Sequence, residues 1–244
     1  MGIFDIFKRH KVESDGKSQK RIPSNKTPVQ YLKALQFNSD FATLLSQDKY
    51  IARSDYKHLI GIYQDIYQFF VSVVEAHILD EFANKSGLDL LHIKTFLENY
   101  GQIQDLTQEA EVVRKHNSQY VVNHIYSDKE YLDNILKACD PAILLDDEQR
   151  EVVLSEEDHT LVIAGAGAGK TTTVAAKVRY LVEKRGVKPE QILVISFTNK
   201  AVEELRERIN HNLKITSVIT TFHSIGYSIL RQGEEEQRKI VDNG

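Results

Sequence analysis

Apolar residues in the first half of the chain recur at helical spacing. From Ser54 onward, Leu, Ile, Phe and Val side chains return every three or four residues, which is typical of an amphipathic helix. The pattern predicts that Ser54 caps this helix, that Gly87 ends it, and that Gly101 ends the shorter helix that follows. A further pair of helices is predicted at about 104–126 and 128–138.

This pattern divides the chain into three predicted segments. Residues 12–28 are polar and rich in Lys, Ser, Asn and Pro, and we expect residues 1–28 to form a flexible or disordered segment. Residues 29–140 are expected to form an all-α region, and residues 141–244 a different kind of domain. An aromatic stripe in the helical region, formed by Tyr63, Tyr67 and Phe70, is interpreted as packing rather than as a binding face.

The pattern changes near Pro141 to short β-branched apolar runs, each followed by a helical pattern. Strands are predicted at 160–164, 192–196 and 216–220, and helices at about 170–185 and 199–211. Buried strands that alternate with helices indicate an α/β domain, with a parallel sheet and right-handed crossovers. All loops that leave the carboxyl ends of such strands lie at one edge of the sheet, where ligands bind.

The loop after the first predicted strand has the composition of a phosphate-binding loop. It reads Ala-Gly-Ala-Gly-Ala-Gly-Lys-Thr over 164–171, which fits the pattern G-x-x-x-x-G-K-[ST] except at the first position. Glycines let consecutive N–H groups turn toward phosphate oxygens, and the start of a helix adds the positive end of its dipole. Lys170 is predicted to contact the β and γ phosphates, and the Thr171 hydroxyl to ligate Mg²⁺.

Gln149 lies upstream of this loop at a predicted helix start. Asp146 or Asp147 is predicted to cap the helix, which places Gln149 in its first turn. A carboxamide both donates and accepts, so it can read N6 and N7 of adenine together. The predicted site for ATP comprises Gln149, Ala164, Gly165, Ala166, Gly167, Ala168, Gly169, Lys170, Thr171 and Thr172.

Two further motifs follow the second and third predicted strands. An aromatic residue at a strand end can stack a nucleic-acid base, and short polar groups at a helix start suit phosphates. In the alternative interpretation, Phe197 and Phe222 belong to the core, Thr198 or Asn199 caps a helix, and His223 is a hydrogen-bonded structural residue. The candidate nucleic-acid residues are Phe197, Thr198, Asn199, Lys200, Thr221, Phe222 and His223.

These four motifs, in this order over about 144–232, closely resemble the UvrD/Rep-like superfamily 1 DNA helicases, and most of all the DNA helicase IV-type branch. Ala164 is the usual first residue of the loop in that family. The resemblance implies a partial RecA-like domain that binds ATP and Mg²⁺, with Lys170 and Thr171 as catalytic residues and single-stranded DNA crossing the strand-end motifs. It also implies 3′ to 5′ movement on DNA and a role in repair or recombination.

Composition narrows the class of protein only slightly. A net charge of −4 excludes a histone-like binder that relies on bulk positive charge, although a local basic groove remains compatible with it. Cys139 is the single cysteine, so no internal disulfide can form, and a reducing, cytoplasmic setting is expected. No apolar run is long enough to span a bilayer.

The expected acidic motif of the family, Asp-Glu at the end of an apolar strand, is not found after residue 200. We therefore expect the chain to be an N-terminal fragment that hydrolyses ATP negligibly by itself. One alternative is a non-motor ATP-binding regulatory protein whose N-terminal helices recruit a protein partner. A small-molecule kinase is a weaker alternative, because it would not explain the motifs at 197–200 and 221–223.

Overall fold

A computed structural model describes residues 28–242 of the protein, with side chains up to residue 232. The predicted flexible segment 1–28 lies outside the described residues except for Pro28. The described chain divides into two compact units. The first contains the residues up to Tyr120 together with Glu156–His159, and the second contains Val121–Ser155 together with the residues from Thr160 onward.

The first unit is a helical bundle with an aromatic core. Its helices are α1 (Val29–Leu45), α2 (Arg53–Glu75), α3 (Leu79–Ser86), α4 (Leu90–Ile103) and the first part of α5 (Glu111–Ser127). Phe37 is fully buried, and its ring lies 5.1 Å from that of Phe96 and 5.3 Å from that of Tyr63. Tyr63, Tyr67 and Phe70 are all buried, which confirms their interpretation as packing residues.

Ser54 does not cap α2, contrary to the prediction. Ala52 stands at the N-cap, and Ser54 lies in the first turn of the helix. The Ser54 amide and hydroxyl both donate to Asp158, over 2.8 and 2.7 Å, and the Arg53 amide donates to Glu157 over 3.1 Å. The carboxylates that cap this helix thus come from a segment about a hundred residues further along the chain, which local sequence could not reveal.

Two predicted helix ends in this unit are also wrong. The long helix ends at Glu75 rather than at Gly87, because His77 takes the left-handed conformation with φ of 57°. The His77 amide then donates to Val74 and the Ile78 amide to Val73, a pairing that closes a helix end and is usually built on glycine. Gly87 ends the short helix α3 instead, and α4 continues through Gly101 to Ile103.

The second unit contains a small parallel sheet with helices. After α5 come α6 (Lys129–Asn134), α7 (Asp147–Leu154), α8 (Lys170–Arg185), a 3₁₀ turn (Pro189–Gln191), β1 (Leu193–Ser196), α9 (Asn199–Arg206), a π-helical turn (Glu207–Asn212), β2 (Val218–Thr221) and α10 (Phe222–Asp242). The two strands are parallel, with Val194 opposite Ile219 and Ser196 opposite Thr221.

The α/β fold class is therefore confirmed only in its coarse form, as a parallel two-stranded sheet within a largely helical described chain. The predicted strand at 160–164 is wrong. This segment has no strand assignment, and within the described residues neither β1 nor β2 pairs with it. Leu161 and Ile163 are 86% and 91% exposed, so β propensity alone does not make a strand where no neighbouring backbone supplies hydrogen bonds.

The helices predicted at 170–185 and 199–211 are confirmed, the second as α9 followed by the π-helical turn. The predicted pair at about 104–126 and 128–138 is observed as α5 and α6, with later starts and an earlier second end. None of the helices in the described range has the length and apolar character needed to cross a membrane.

Candidate functional site

A cavity of about 930 Å³ opens in the second unit around the phosphate-loop sequence. Its walls come from three parts of the unit: residues before and at the start of α7, the segment from Val162 through the first two turns of α8, and residues 192–195 at β1. The volume falls in the range typical of small-molecule and cofactor sites. The structure therefore brings Gln149, Ala164, Gly169 and Lys170 to the wall of one cavity.

Two glycines shape the loop at the mouth of α8. Gly167 and Gly169 have φ of 78° and 74°, in the left-handed region that side chains rarely adopt. A β-carbon at Gly169 would also lie 2.5 Å from Gln149 Nε2, whereas one at Gly167 would meet nothing within 4 Å. Gly169 thus needs to be glycine for its backbone conformation, whereas the flexible end of the Gln149 side chain could move aside for a β-carbon.

Lys170 is the first residue of α8 and folds back over the loop. Its Nζ donates to the carbonyl oxygens of Ala164 and Gly165, over 3.1 and 2.5 Å. The ammonium group therefore lies beside the positive end of the helix dipole, and both favour an anion at this point. Ala166 and Ala168 are exposed on the same loop.

Gln149 contacts the loop directly. Asp146 caps α7, which confirms one of the two predicted caps, and accepts a hydrogen bond from the Gln149 amide over 2.8 Å. The Gln149 carboxamide accepts from the Asp146 amide over 3.1 Å and donates to the Ala168 carbonyl over 3.3 Å. The carboxamide therefore links the start of α7 to the phosphate-loop sequence.

The threonines that follow Lys170 lie in the first turn of α8. Thr171 is half-buried, and the Thr172 hydroxyl accepts a hydrogen bond from Arg208 NH1 over 3.1 Å. In the part of the chain that the structure describes, no group of three or more His, Cys, Asp or Glu side chains could hold a metal ion. A Mg²⁺ ion here would rely on the Thr171 hydroxyl and on the phosphates of its nucleotide.

The aromatic residues at the strand ends lie together on the surface. Phe197 follows β1 and is 82% exposed, and Phe222 follows β2 and is 66% exposed. The Phe197 ring meets the exposed His223 ring edge to face, with centroids 6.4 Å apart. The interpretation of Phe197 and Phe222 as core residues is therefore wrong, because both rings face solvent.

The polar residues of the two motifs have different surroundings. Thr198 caps α9, with its hydroxyl accepting from the Ala201 amide over 3.2 Å. Thr221 is buried, and its hydroxyl pairs with that of Ser224 over 2.8 Å. Asn199 and Lys200 are exposed at the start of α9. The capping alternative for Thr198 is thus confirmed, and its side chain stays at the surface.

Two arginines of this region escaped the sequence interpretation. Arg206 Nε and NH2 both donate to the Ile219 carbonyl on β2, over 3.1 and 2.6 Å, and Arg208 donates to Thr172. Their only signal in the sequence is a pair of arginines two positions apart at the end of a helix, which usually indicates a solvated face.

Two ionisable groups of the second unit have pKa values shifted by their surroundings. Burial raises the pKa of the Cys139 thiol, so this cysteine stays protonated at neutral pH. Hydrogen bonds from Lys129 and Arg150 lower the pKa of the Asp133 carboxyl. The Arg150–Asp133 ion pair, at 2.5 Å, joins α6 to α7 and so supports the helix that carries Gln149.

Sequence comparison shows which proteins this part of the chain is similar to. Residues 145–242 match the family model of the UvrD/REP helicase N-terminal domain. The resemblance to these helicases is therefore confirmed for the portion of the chain that contains most of the cavity wall and both strand-end motifs.

Individual relatives are named as DNA helicases. A probable DNA helicase II homolog of Mycoplasma capricolum is 38% identical over 121 residues, which cover 46% of this chain and 16% of the relative. DNA helicase IV of Escherichia coli is 38% identical over 93 residues, covering 38% of this chain and 14% of the relative. The ATP-dependent DNA helicase PcrA of Staphylococcus aureus is 37% identical over 103 residues, 39% of this chain and 14% of the relative. The chain thus spans less than a fifth of the length of these relatives.

Proposed function

We propose that the second unit binds ATP with Mg²⁺ and that the chain supplies the leading part of an ATP-dependent DNA helicase or translocase. The observation that carries this proposal is the cavity in which Gln149, Gly169 and Lys170 converge. Gln149 reads the adenine ring, the loop amides and Lys170 hold the phosphates, and Thr171 ligates Mg²⁺. Residues 164–172 together form the nucleotide cradle.

The proposed architecture is a partial RecA-like domain. Its support is the order of elements, in which a loop of left-handed glycines leads into α8 and a parallel strand pair follows.

Single-stranded DNA is the proposed second ligand. The exposed rings of Phe197 and Phe222 are suited to stack bases, and Asn199, Lys200 and His223 to contact the strand beside them. The names of the relatives support DNA as the substrate class. Movement from 3′ to 5′, a role in repair or recombination, and a cytoplasmic location are carried over as predictions from the family and the single cysteine.

Nucleotide binding by the purified 244-residue chain tests the first half of the proposal. A fluorescent ATP analogue with Mg²⁺ should bind, and Lys170→Ala should weaken binding by at least about tenfold, equivalent to about 1.4 kcal/mol. Lys188→Ala provides the control, because Lys188 is exposed and does not line the cavity. Equal affinity of the wild type and Lys170→Ala would contradict the proposed site.

DNA binding tests the second half. A fluorescent oligo-dT should bind, and Phe197→Ala should weaken it by about 1–3 kcal/mol, the usual contribution of one stacked base. A chain that binds ATP but no oligonucleotide would instead support the non-motor regulatory function.

We also expect negligible ATP hydrolysis by this chain alone, because the expected acidic motif was not found in its sequence. Strong hydrolysis that depends on Lys170 would overturn that expectation.

A further inference from the structure

Helix α9 begins at one of the proposed DNA-contacting motifs. It runs for eight residues from Asn199, is capped by Thr198, and directly follows the exposed Phe197. A short, hydrogen-bonded helix therefore connects this motif to the residues at the far end of α9.

Arg206, in the last turn of α9, holds the second motif. Its guanidinium donates twice to the carbonyl of Ile219, a buried residue of β2 two positions before Thr221. The strand end that carries Phe222 and His223 is thus tied to α9. The edge-to-face contact of Phe197 with His223 joins the same two motifs at the surface.

Arg208 makes the corresponding contact with the nucleotide cavity. It lies in the π-helical turn Glu207–Asn212, and its NH1 donates to the Thr172 hydroxyl over 3.1 Å. Its Nη2 donates to Glu204 over 3.1 Å. The Glu204 carboxylate and the Thr172 hydroxyl therefore hold the planar guanidinium group of Arg208 from two sides. Thr172 lines the cavity and directly follows Thr171 in the first turn of α8.

The geometry of the helix explains how α9 reaches both sides. Residues two positions apart on a helix do not face each other, so Arg206 and Arg208 extend in different directions. Arg206 turns to β2 and Arg208 to α8. π-helical turns are rare and are found frequently at functional sites, and this one begins between the two arginines.

We propose that Arg208 is a positioning residue that couples the nucleotide cavity to the DNA-binding edge through its hydrogen bond to Thr172. This inference rests on the proposed function and adds to it the path between the two ligands. Other cationic contacts of the unit serve a different purpose: Lys177 donates to the carbonyls of Val153 and Ser155, and Arg150 pairs with Asp133. Those contacts support α7 and do not reach α9.

The experiment measures thermodynamic coupling in the full 244-residue chain. The dissociation constant of the fluorescent ATP analogue is determined with and without saturating oligo-dT, and that of labelled oligo-dT with and without the analogue. Both ratios must agree, because coupling between binding sites is reciprocal. For the wild type we expect a ratio of at least about fivefold, the lower end of typical coupling between sites.

Arg208→Gln should bring this ratio to within twofold of one, while each ligand alone binds within about threefold of the wild type. Arg208→Lys keeps the positive charge but loses the planar guanidinium with its two donor arms. Its coupling ratio should therefore lie between those of the wild type and Arg208→Gln. Glu203→Gln is the matched control, because Glu203 is exposed on α9, apart from the contacts of Arg206 and Arg208, and the variant should keep the wild-type ratio. Circular dichroism and thermal melting establish that each variant is folded.

Full coupling in folded Arg208→Gln overturns the proposal, as does a wild type that binds both ligands independently. If Arg208→Gln does not fold, Arg208→Lys decides, since a wild-type ratio in that variant also overturns the proposal. A wild type that binds neither ligand refutes the proposed function itself. Failure of the coupling is therefore distinguishable from failure of the sites.

Discussion

The two units use phenylalanine in opposite ways. In the helical unit, Phe37, Phe41 and Phe96 are at most 1% exposed and lie among one another. In the second unit, Phe197 and Phe222 are 82% and 66% exposed, although each directly follows a strand of the sheet. Phenylalanine is thus a core residue in the helical unit and an exposed residue in the second unit.

This difference shows that the position of an aromatic residue within its element decides its role. A phenylalanine at helical spacing in the middle of α1 or α4 faces the bundle core. A phenylalanine one position after a parallel strand lies at the ligand edge, where the sheet no longer covers it. Substituting alanine at one position of each kind tests this difference.

The largest effect is expected for Phe37→Ala. It removes a fully buried ring that touches several others, and should lower the free energy of unfolding of the helical unit by about 3–5 kcal/mol. Phe197→Ala, the matched control, should change the free energy of unfolding by no more than about 0.5 kcal/mol. Urea denaturation read by amide hydrogen exchange in each unit measures both values. Similar losses in the two variants would remove the contrast.

Asn117→Ala should have the next largest effect. Asn117 is buried, and its carboxamide accepts from the Ile51 amide over 2.9 Å and donates to the Ile51 carbonyl over 3.0 Å. The variant leaves two buried backbone groups unpaired, so the free energy of unfolding should fall by about 2–3 kcal/mol. Asn134→Ala, at an exposed asparagine, is the control. If both variants unfold at the same urea concentration, the backbone of Ile51 does not depend on Asn117.

Gly169→Ala sharpens the comparison between glycines of the two units. The φ of 74° should cost about 1–2 kcal/mol with a β-carbon present, seen as weaker binding of the ATP analogue and a lower melting temperature. Gly61 lies inside α2, where a β-carbon would meet nothing within 4 Å. Gly61→Ala should therefore stabilise the helical unit by about 0.5–1 kcal/mol. Opposite signs are the expected result, and equal signs would contradict it.

Asp158→Asn should have the smallest effect and a distinct pH dependence. Hydrogen bonds from Ser54 lower the pKa of Asp158, so its ionised form stabilises the folded helical unit at neutral pH. The variant should lose about 1 kcal/mol at pH 7, typical of a helix cap. Because the folded pKa is depressed, the difference should shrink as the pH falls through that pKa, and thermal melts from pH 7 to pH 2 measure it. A difference that persists unchanged in acid would exclude the charge as its cause.

The elements that could be predicted are those whose ends are marked by local chemistry. Helix α8 begins and ends where the sequence indicated, since Gly169 and Gly186 both take left-handed conformations at its ends. Asp146 and Gln149 form a capping box, and the spacing of these two residue types is visible in the sequence itself. Residues at the starts of these two helices form part of the cavity wall.

The features that escaped prediction depend on contacts distant in sequence or on unusual backbone. His77 closes α2 in a conformation usually taken by glycine, and Asp158 caps a helix a hundred residues earlier. The segment 160–164 has the composition of a strand but no paired neighbour among the described residues. The Arg208–Thr172 contact joins residues 36 positions apart, and nothing in either local segment signals it.

Arg206 in α9 and Arg208 in the π-helical turn that follows make this helix a spacer of defined length. Each residue advances a helix by about 100° and 1.5 Å, so one inserted or deleted residue between Asn199 and Arg206 would swing both guanidinium groups away from Ile219 and Thr172. Substitutions at the exposed Glu203 would leave both contacts in place. Over evolutionary time, this stretch should therefore accept changes of residue far more readily than changes of length.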